Sequence, residues 1–234
     1  MNIHRLDFGK VRVADNVYPV FAYLVCLAGG QKILIDSGGN IELNQVMTKY
    51  KLWTEFHLER DLQIELHKLN LDINDINYLL QTHLHHDHVS CLEFLDFDKQ
   101  KLIVAKQEVE ALPKRRFTID YNVSYLKEYL PNFTLVDFEE VDLVALSDSI
   151  TLVKTNNHTR GHMSVAIVED NQYVFFTGDS FYTDQEMTNY FRDEENKDTP
   201  LYKRLKNLLS VNDYSIYFSH CEKVLSYRDL LKGS

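Results

Sequence analysis

The residues most able to do chemistry lie between Gln81 and Ser90, in the run QTHLHHDHVS. Four histidines and one aspartate occupy the six positions from His83 to His88, with Leu84 as the single apolar residue among them. Imidazoles are costly to bury without partners, and protonated together they would repel one another. Neutral imidazole is, however, a common ligand for zinc and other divalent transition metals. His83 and His85, two apart on extended backbone, can point to one side. Asp87 and His88 are adjacent, so their side chains do not readily converge on an ion held by that pair. The spacing suits two ions side by side, each served by a pair of ligands. It differs from the helical HExxH arrangement, which the sequence lacks. An exposed polar loop or a terminal tag can also be rich in histidine, but a tag would lack the internal position and the interposed Asp87.

The flanking pattern indicates what must position this run. The stretch INYLLQT, ending at Thr82, reads as a short strand, so the histidines fall on a loop at a strand's C-terminal end. Grafted sites in α/β proteins are commonly found there. VFAYLVCL and KILIDSG are two β-rich runs separated by AGGQ, a hairpin signal with Gly29 and Gly30 free to take positive φ. Leu58, Leu62, Leu66 and Leu69 recur at helical spacing and predict a helix within 55–70. Further strands are expected at 101–105, 133–137, 150–155, 164–168, 173–179 and 215–220. Further helices are expected at 106–115, 122–130, 201–210 and 222–232. Strands arriving partly in runs and partly alternating with helices fit two packed sheets flanked by helices, an α+β arrangement.

The 234 residues contain no linker, repeat or low-complexity tract, so one domain over 1–234 is expected. A formal net charge of -10 argues against a nucleic-acid partner, and the densest basic patch, Lys114 to Arg116, reads as a solvated helix end. The stretch MNIHRLDFGKVRV has no apolar core and no small-residue cleavage pattern, so no export signal is expected, and no apolar run reaches membrane-spanning length. No membrane partner is expected on that ground. Cys26, Cys91 and Cys221 are odd in number and lack CxxC spacing; they read as reduced thiols of a cytoplasmic protein.

His83-x-His85-x-Asp87-His88 resembles the signature of the metallo-β-lactamase-fold hydrolases. The resemblance continues in order through His162 in TRGHMS, Asp179 in FFTGDS and His220 in YFSHCE, and so spans nearly the whole chain. It implies a four-layer αββα sandwich and two divalent metal ions, zinc first, with manganese, iron or cobalt also suited. By the same resemblance His83, His85 and His162 hold one ion, Asp87, His88 and His220 the other, and Asp179 bridges them. Two ions about 3.5–4 Å apart can share a hydroxide that attacks a carbonyl while the same pair polarises its oxygen. Asp36, in LIDSG, matches a strand-end aspartate of the family and is expected to orient a ligand histidine.

Tyr182 stands three residues after Asp179, an offset shared with the quorum-quenching N-acyl-homoserine lactonases. That resemblance implies a small lactone or ester substrate, with Asp87 and Tyr182 as catalytic residues and Tyr182 bonding the substrate carbonyl. The chain departs from the lactonases at Val89-Ser90-Cys91, where Gly-Gly is common, and at Arg160-Gly161-His162, where Pro-Gly-His is common. Other readings are a thioesterase resembling glyoxalase II, another hydrolase of the fold, or a metal-binding interaction protein without catalysis. His86 reads as wall and His158 as a neighbour of the ligands. His4, His57 and His67 read as surface residues, and Cys91 and Cys221 as packing.

Overall fold

The computed structural model describes residues 1–39, 55–114 and 121–232. The first sheet comprises β1 (Asn2–Val13), β2 (Asn16–Cys26), β3 (Lys32–Ile35), β4 (Glu55–Leu58), β5 (Tyr78–Leu80), β6 (Lys101–Ala105) and β7 (Thr134–Val136). Its spatial order is β4-β1-β2-β3-β5-β6-β7, with β3, β5, β6 and β7 mutually parallel. The second sheet comprises β8 (Leu143–Ala145), β9 (Ile150–Lys154), β10 (Met163–Glu169), β11 (Gln172–Phe176), β12 (Ser215–Phe218) and β13 (Cys221–Ser226). Its order is β13-β12-β11-β10-β9-β8, with β11 and β12 parallel.

The period-two alternation of strand side chains explains the layers. On β2, Phe21, Tyr23 and Val25 join Ile33, Leu80 and Ile103 of the first sheet against Val165, Ile167 and Phe176 of the second. The intervening Val20, Ala22 and Leu24 face outward onto Leu62 and Leu66 of α1 (Leu62–His67), α2 (Lys106–Glu110) lying on the same side, and onto Leu126 of α3 (Val123–Tyr129). On the other sheet Ala166, Phe175 and Phe218 face Met187 and Phe191 of α4 (Asp184–Arg192), Leu205 and Leu209 of α5 (Pro200–Leu209) and Leu230 of α6 (Tyr227–Lys232). Helices, sheet, sheet, helices: this is the expected αββα sandwich. Strands covered on both faces need apolar residues at both parities, which is why VFAYLVCL and KLIVA are nearly continuous apolar runs.

The β2–β3 hairpin forms as expected, and Gly30 takes φ +85° in its turn. Two expected helices are corrected. Within 55–70 the chain is first a strand, because β4 pairs antiparallel with β1 through Gly9 and Leu58; Asp61 then caps α1 by accepting from the Ile64 amide. Within 222–232, Cys221–Ser226 pairs with β12 as an edge strand and helix begins only at Tyr227. In the 106–115 segment helix ends at Glu110; Arg115 and Arg116 lie outside the described residues. β1, β4 and β8 were not among the expected strands. Among the described residues no helix is long and apolar enough to cross a membrane.

Candidate metal centre

Each expected ligand leaves the end of a strand at one edge of the two sheets. The loop after β5 carries His83 to His88, the turn before β10 carries His162, the turn after β11 carries Asp179, and the β12–β13 connection carries His220. Gly178 takes φ +57°, and a Cβ there would lie 2.7 Å from His162 Nε2 and 2.8 Å from Thr82 Cβ, so glycine lets Asp179 approach the histidine loop. β2 grips the last ligand from the other sheet: the Phe21 amide donates to Ser219 O at 2.9 Å, and the Tyr23 hydroxyl donates to Phe218 O at 2.6 Å.

Hydrogen bonds fix which nitrogen faces inward in His83, His88 and His220. Asp36, after β3, accepts from the Thr82 amide at 2.8 Å, from Thr82 Oγ1 at 2.9 Å and from His88 Nδ1 at 2.8 Å. With its proton given to Asp36, Thr82 Oγ1 accepts from His83 Nδ1 at 3.0 Å. One carboxylate therefore orients two histidines, His88 directly and His83 through a hydroxyl, and leaves both Nε2 atoms as lone-pair donors. His220 Nδ1 donates to Pro19 O at 2.6 Å, which turns its Nε2 inward as well. Asp36 sits at φ +58°, a conformation aspartate tolerates better than most side chains. The expected role of Asp36 thus corresponds to a direct bond to a candidate ligand.

Among the described residues three sets of side chains each bring their potential ligand atoms within 4.8 Å of one another: His83, His85 and His158; His83, His88 and Asp179; and Asp87, His88 and His220. Asp179 stands among them, with carboxylate oxygens 3.2 Å from His88 Nε2, 3.2 Å from His220 Nε2 and 3.8 Å from His83 Nε2. His162 lies beside the first group, its ring centroid 5.2 Å from that of His83. Its Nε2 accepts from the Asp179 amide at 3.0 Å, and its Nδ1 donates to Thr155 Oγ1 at 2.8 Å. His158, set outside the ligand group on sequence grounds, has its Nε2 3.1 Å from His85 Nδ1 and 3.5 Å from Asp179 Oδ2.

The electrostatics divide the site. Burial and neighbouring imidazoles hold His83 and His162 well below the usual histidine range, and burial with His158 pushes His85 down to about 3. Burial also opposes charge on His88 and His220, but the Asp179 and Asp87 carboxylates outweigh it and raise both. Asp179 is held well below the carboxylate range, since His220 and His88 overcome its desolvation. Buried His88 Nε2 and Asp179 Oδ1 lie 3.2 Å apart, yet neither makes a well-aligned hydrogen bond among the described residues. Inward lone pairs, neutral imidazoles and carboxylates drawing positive charge from the histidines beside them are the donor set a divalent cation satisfies. The residues fit a metal pair.

Other side chains build the wall. Tyr182's ring lies 4.9 Å from that of His220, 5.6 Å from that of His158 and 5.6 Å from that of Tyr18. Tyr121 covers His85 at 4.7 Å. His86 is buried outside the three donor groups. Cys91 is buried and takes φ +63°, a backbone conformation that favours glycine. Cys221 Sγ lies 3.5 Å from Asp184, outside the donor groups. Thr82, Thr155, Tyr18, Tyr121 and the Pro19 carbonyl carry no motif and were missed in the sequence.

A mixed sandwich with candidate histidine and aspartate ligands at the strand ends points to one class of proteins. The sequence profile of the metallo-beta-lactamase superfamily matches residues 15–220, and the chain belongs to that superfamily. It is 25% identical over 221 residues to a protein named N-acyl homoserine lactonase AiiB from Rhizobium rhizogenes, covering 79% of this chain and 78% of that one. A solved N-acyl homoserine lactone hydrolase, with product N-hexanoyl-L-homoserine bound at its catalytic metal centre, superposes with a TM-score of 0.69. It has 20% identity and covers 94% of this chain and 93% of that one. The dizinc quorum-quenching lactonase AidC superposes at 0.60, with 20% identity over 88% of this chain and 74% of its own.

Proposed function

We propose that this chain is a dinuclear metal-dependent hydrolase that opens N-acyl-homoserine lactones. The observation that carries the reading is the convergence of the donor groups on Asp179, with Tyr182 packed against His220 at their rim. His83, His85 and His162 would hold one ion and Asp87, His88 and His220 the other, with the Asp179 carboxylate facing both sets. Zinc suits mixed imidazole and carboxylate ligands, and manganese, iron or cobalt accept the same set. Two such ions supply an activated water and a clamp on a carbonyl oxygen.

The chain does the rest. Tyr182 donates a hydrogen bond to the lactone carbonyl oxygen as charge builds there. Asp87, held ionised by His88, His86 and His220 against its burial, accepts the proton released by the attacking water and returns it to the departing ring oxygen. Tyr18 and Tyr121 wall the site and limit water. The similar proteins named as lactonases, and the Tyr182 offset from Asp179, favour a lactone over a thioester. On its cysteine usage we read the protein as cytoplasmic.

The test is a panel of lactones, thioesters and phosphodiesters assayed with protein loaded with defined metals, alongside Tyr182→Phe. We expect homoserine lactones to be turned over fastest. Loss of one oxyanion donor costs about 10²–10³ in rate where donors act alone. Here an ion shares the charge, so Tyr182→Phe should lower kcat by about 10² or less, with metal content unchanged. Unchanged kcat and KM would remove Tyr182 from the mechanism. No turnover of any substrate by fully loaded protein would leave a metal-binding protein without this activity.

A further inference from the structure

Glu108, on α2, is fully buried outside the donor groups above, yet among the described residues four donors meet its two oxygens. Oε1 accepts from the amide of Leu84, the residue between His83 and His85, at 3.1 Å, and from the Tyr121 hydroxyl at 3.3 Å. Oε2 accepts from Thr159 Oγ1 at 2.6 Å and from the Gly161 amide at 3.1 Å, both within the 158–162 turn. The two histidine-bearing segments come from different sheets, and this carboxylate bonds both. An independent feature agrees: a Cβ on Gly161 would lie 2.0 Å from the Glu108 backbone nitrogen and 2.4 Å from its Cα, so the turn is seated directly on α2. Tyr121, bonded to the same carboxylate, lays its ring on His85.

From this juxtaposition we infer that Glu108 is a positioning residue that sets the spacing between the His83/His85 pair and the His158–His162 turn, and so tunes the affinity for the ion at that end alone. None of the four bonds named above involves Asp87, His88 or His220. The inference rests on the metal-binding reading of the site given above. A carboxylate accepts at both oxygens, whereas a glutamine of the same shape presents an NH₂ on one side. The hydroxyls of Tyr121 and Thr159 can turn to accept from it. The Leu84 and Gly161 amides cannot, so one buried amide loses its acceptor and its segment shifts.

The experiment is competition for Zn²⁺ between a chromogenic chelator and the full-length protein, comparing the unsubstituted chain with Glu108→Gln and Thr159→Val, with metal-free melting temperatures measured in parallel. The unsubstituted protein should hold two equivalents of Zn²⁺. Loss of an outer partner typically costs about 10–100-fold in metal affinity. Glu108→Gln should weaken one equivalent by that factor and leave the other unchanged. The weakened equivalent should be the one that His85→Ala removes, not the one that His220→Ala removes. Thr159→Val, which deletes one of the four bonds, should weaken the same equivalent less and serves if Glu108→Gln does not fold. Equal weakening of both equivalents, or a lowered metal-free melting temperature with both affinities intact, overturns the role. If the unsubstituted chain binds no Zn²⁺, the metal reading falls too; if it binds two, only the assignment of Glu108 is at stake.

Discussion

The two ends of the metal centre are built from the same residue type and behave oppositely. At the end formed by His83, His85 and His162, histidine surrounds histidine, and burial with mutual repulsion keeps the rings neutral. At the end formed by His88 and His220, Asp87 and Asp179 stand close enough to overcome the same burial and raise both rings. The difference lies in the carboxylates, since all five rings are largely buried. One end is prepared as a set of neutral nitrogen donors; the other carries negative charge that favours a cation. Asp179 faces both, and Asp36 braces one histidine of each.

The comparison is broken most completely at Asp179, the group the two ends share. Asp179→Ala should empty or separate the ions and cost more than the roughly 10–100-fold typical of outer partners, with metal content falling at the same time. His86→Ala, outside the donor groups, should leave metal content intact and change activity far less. Kinetics paired with elemental analysis decides between them; comparable losses with unchanged metal would show that Asp179 does not join the ends.

Asp36→Asn should separate the ends, because asparagine keeps the left-handed backbone at φ +58° while exchanging one acceptor for a donor. With the amide NH₂ facing His88 Nδ1, the ring proton moves to Nε2, the atom 3.2 Å from Asp179, and closes that lone pair to a metal. His83 is reached only through Thr82 Oγ1 and is disturbed less. The expected result is a loss of about 10–100-fold in affinity for one Zn²⁺ equivalent and a smaller loss for the other. Equal losses would mean that the Thr82 relay is as firm as the direct bond.

The residues that gather at the candidate site were more legible in the sequence than its supports. His83 to His88, His162, Asp179 and His220 are short-range patterns of unusual residue types, and the strands that deliver them are apolar runs that few other structures fit. β1 escaped notice because its polar residues interrupt the apolar ones and Gly9 shifts its register against β2. The leucine spacing across 55–70 signals a helix, but Leu58 belongs to a strand fixed by distant β1, a tertiary pairing that local periodicity does not report. Glu108 looks like an ordinary helix residue, and only the fold reveals the four donors around it. His158 stands four residues from His162, yet its approach to His85 depends on two sheets meeting.

The electrical contrast itself is tested in metal-free protein. An unfolded histidine titrates near pH 6.5. Below that, the unfolded chain takes up protons that His83, His85 and His162 refuse in the fold, so stability falls as pH drops from about 6.5 towards the value near 3 of His85. His88 and His220 act the other way: their protonated contribution is complete below about pH 6.5 and is lost as pH rises through their raised folded values. Asp87 and Asp179, both lowered, lose their contribution only as pH falls below about 3.8 and so steepen the far acid side. Stability of chelator-stripped protein should therefore peak near pH 6.5, each limb sloping by up to about 1.4 kcal/mol per pH unit for each titrating group. Denaturant unfolding between about pH 5 and pH 9 measures it. His85→Gln should flatten the acid limb alone, and His220→Gln the alkaline limb alone. A monotonic profile, or both limbs moving together in either variant, would show that the two ends titrate as one group and that the carboxylates do not divide the site.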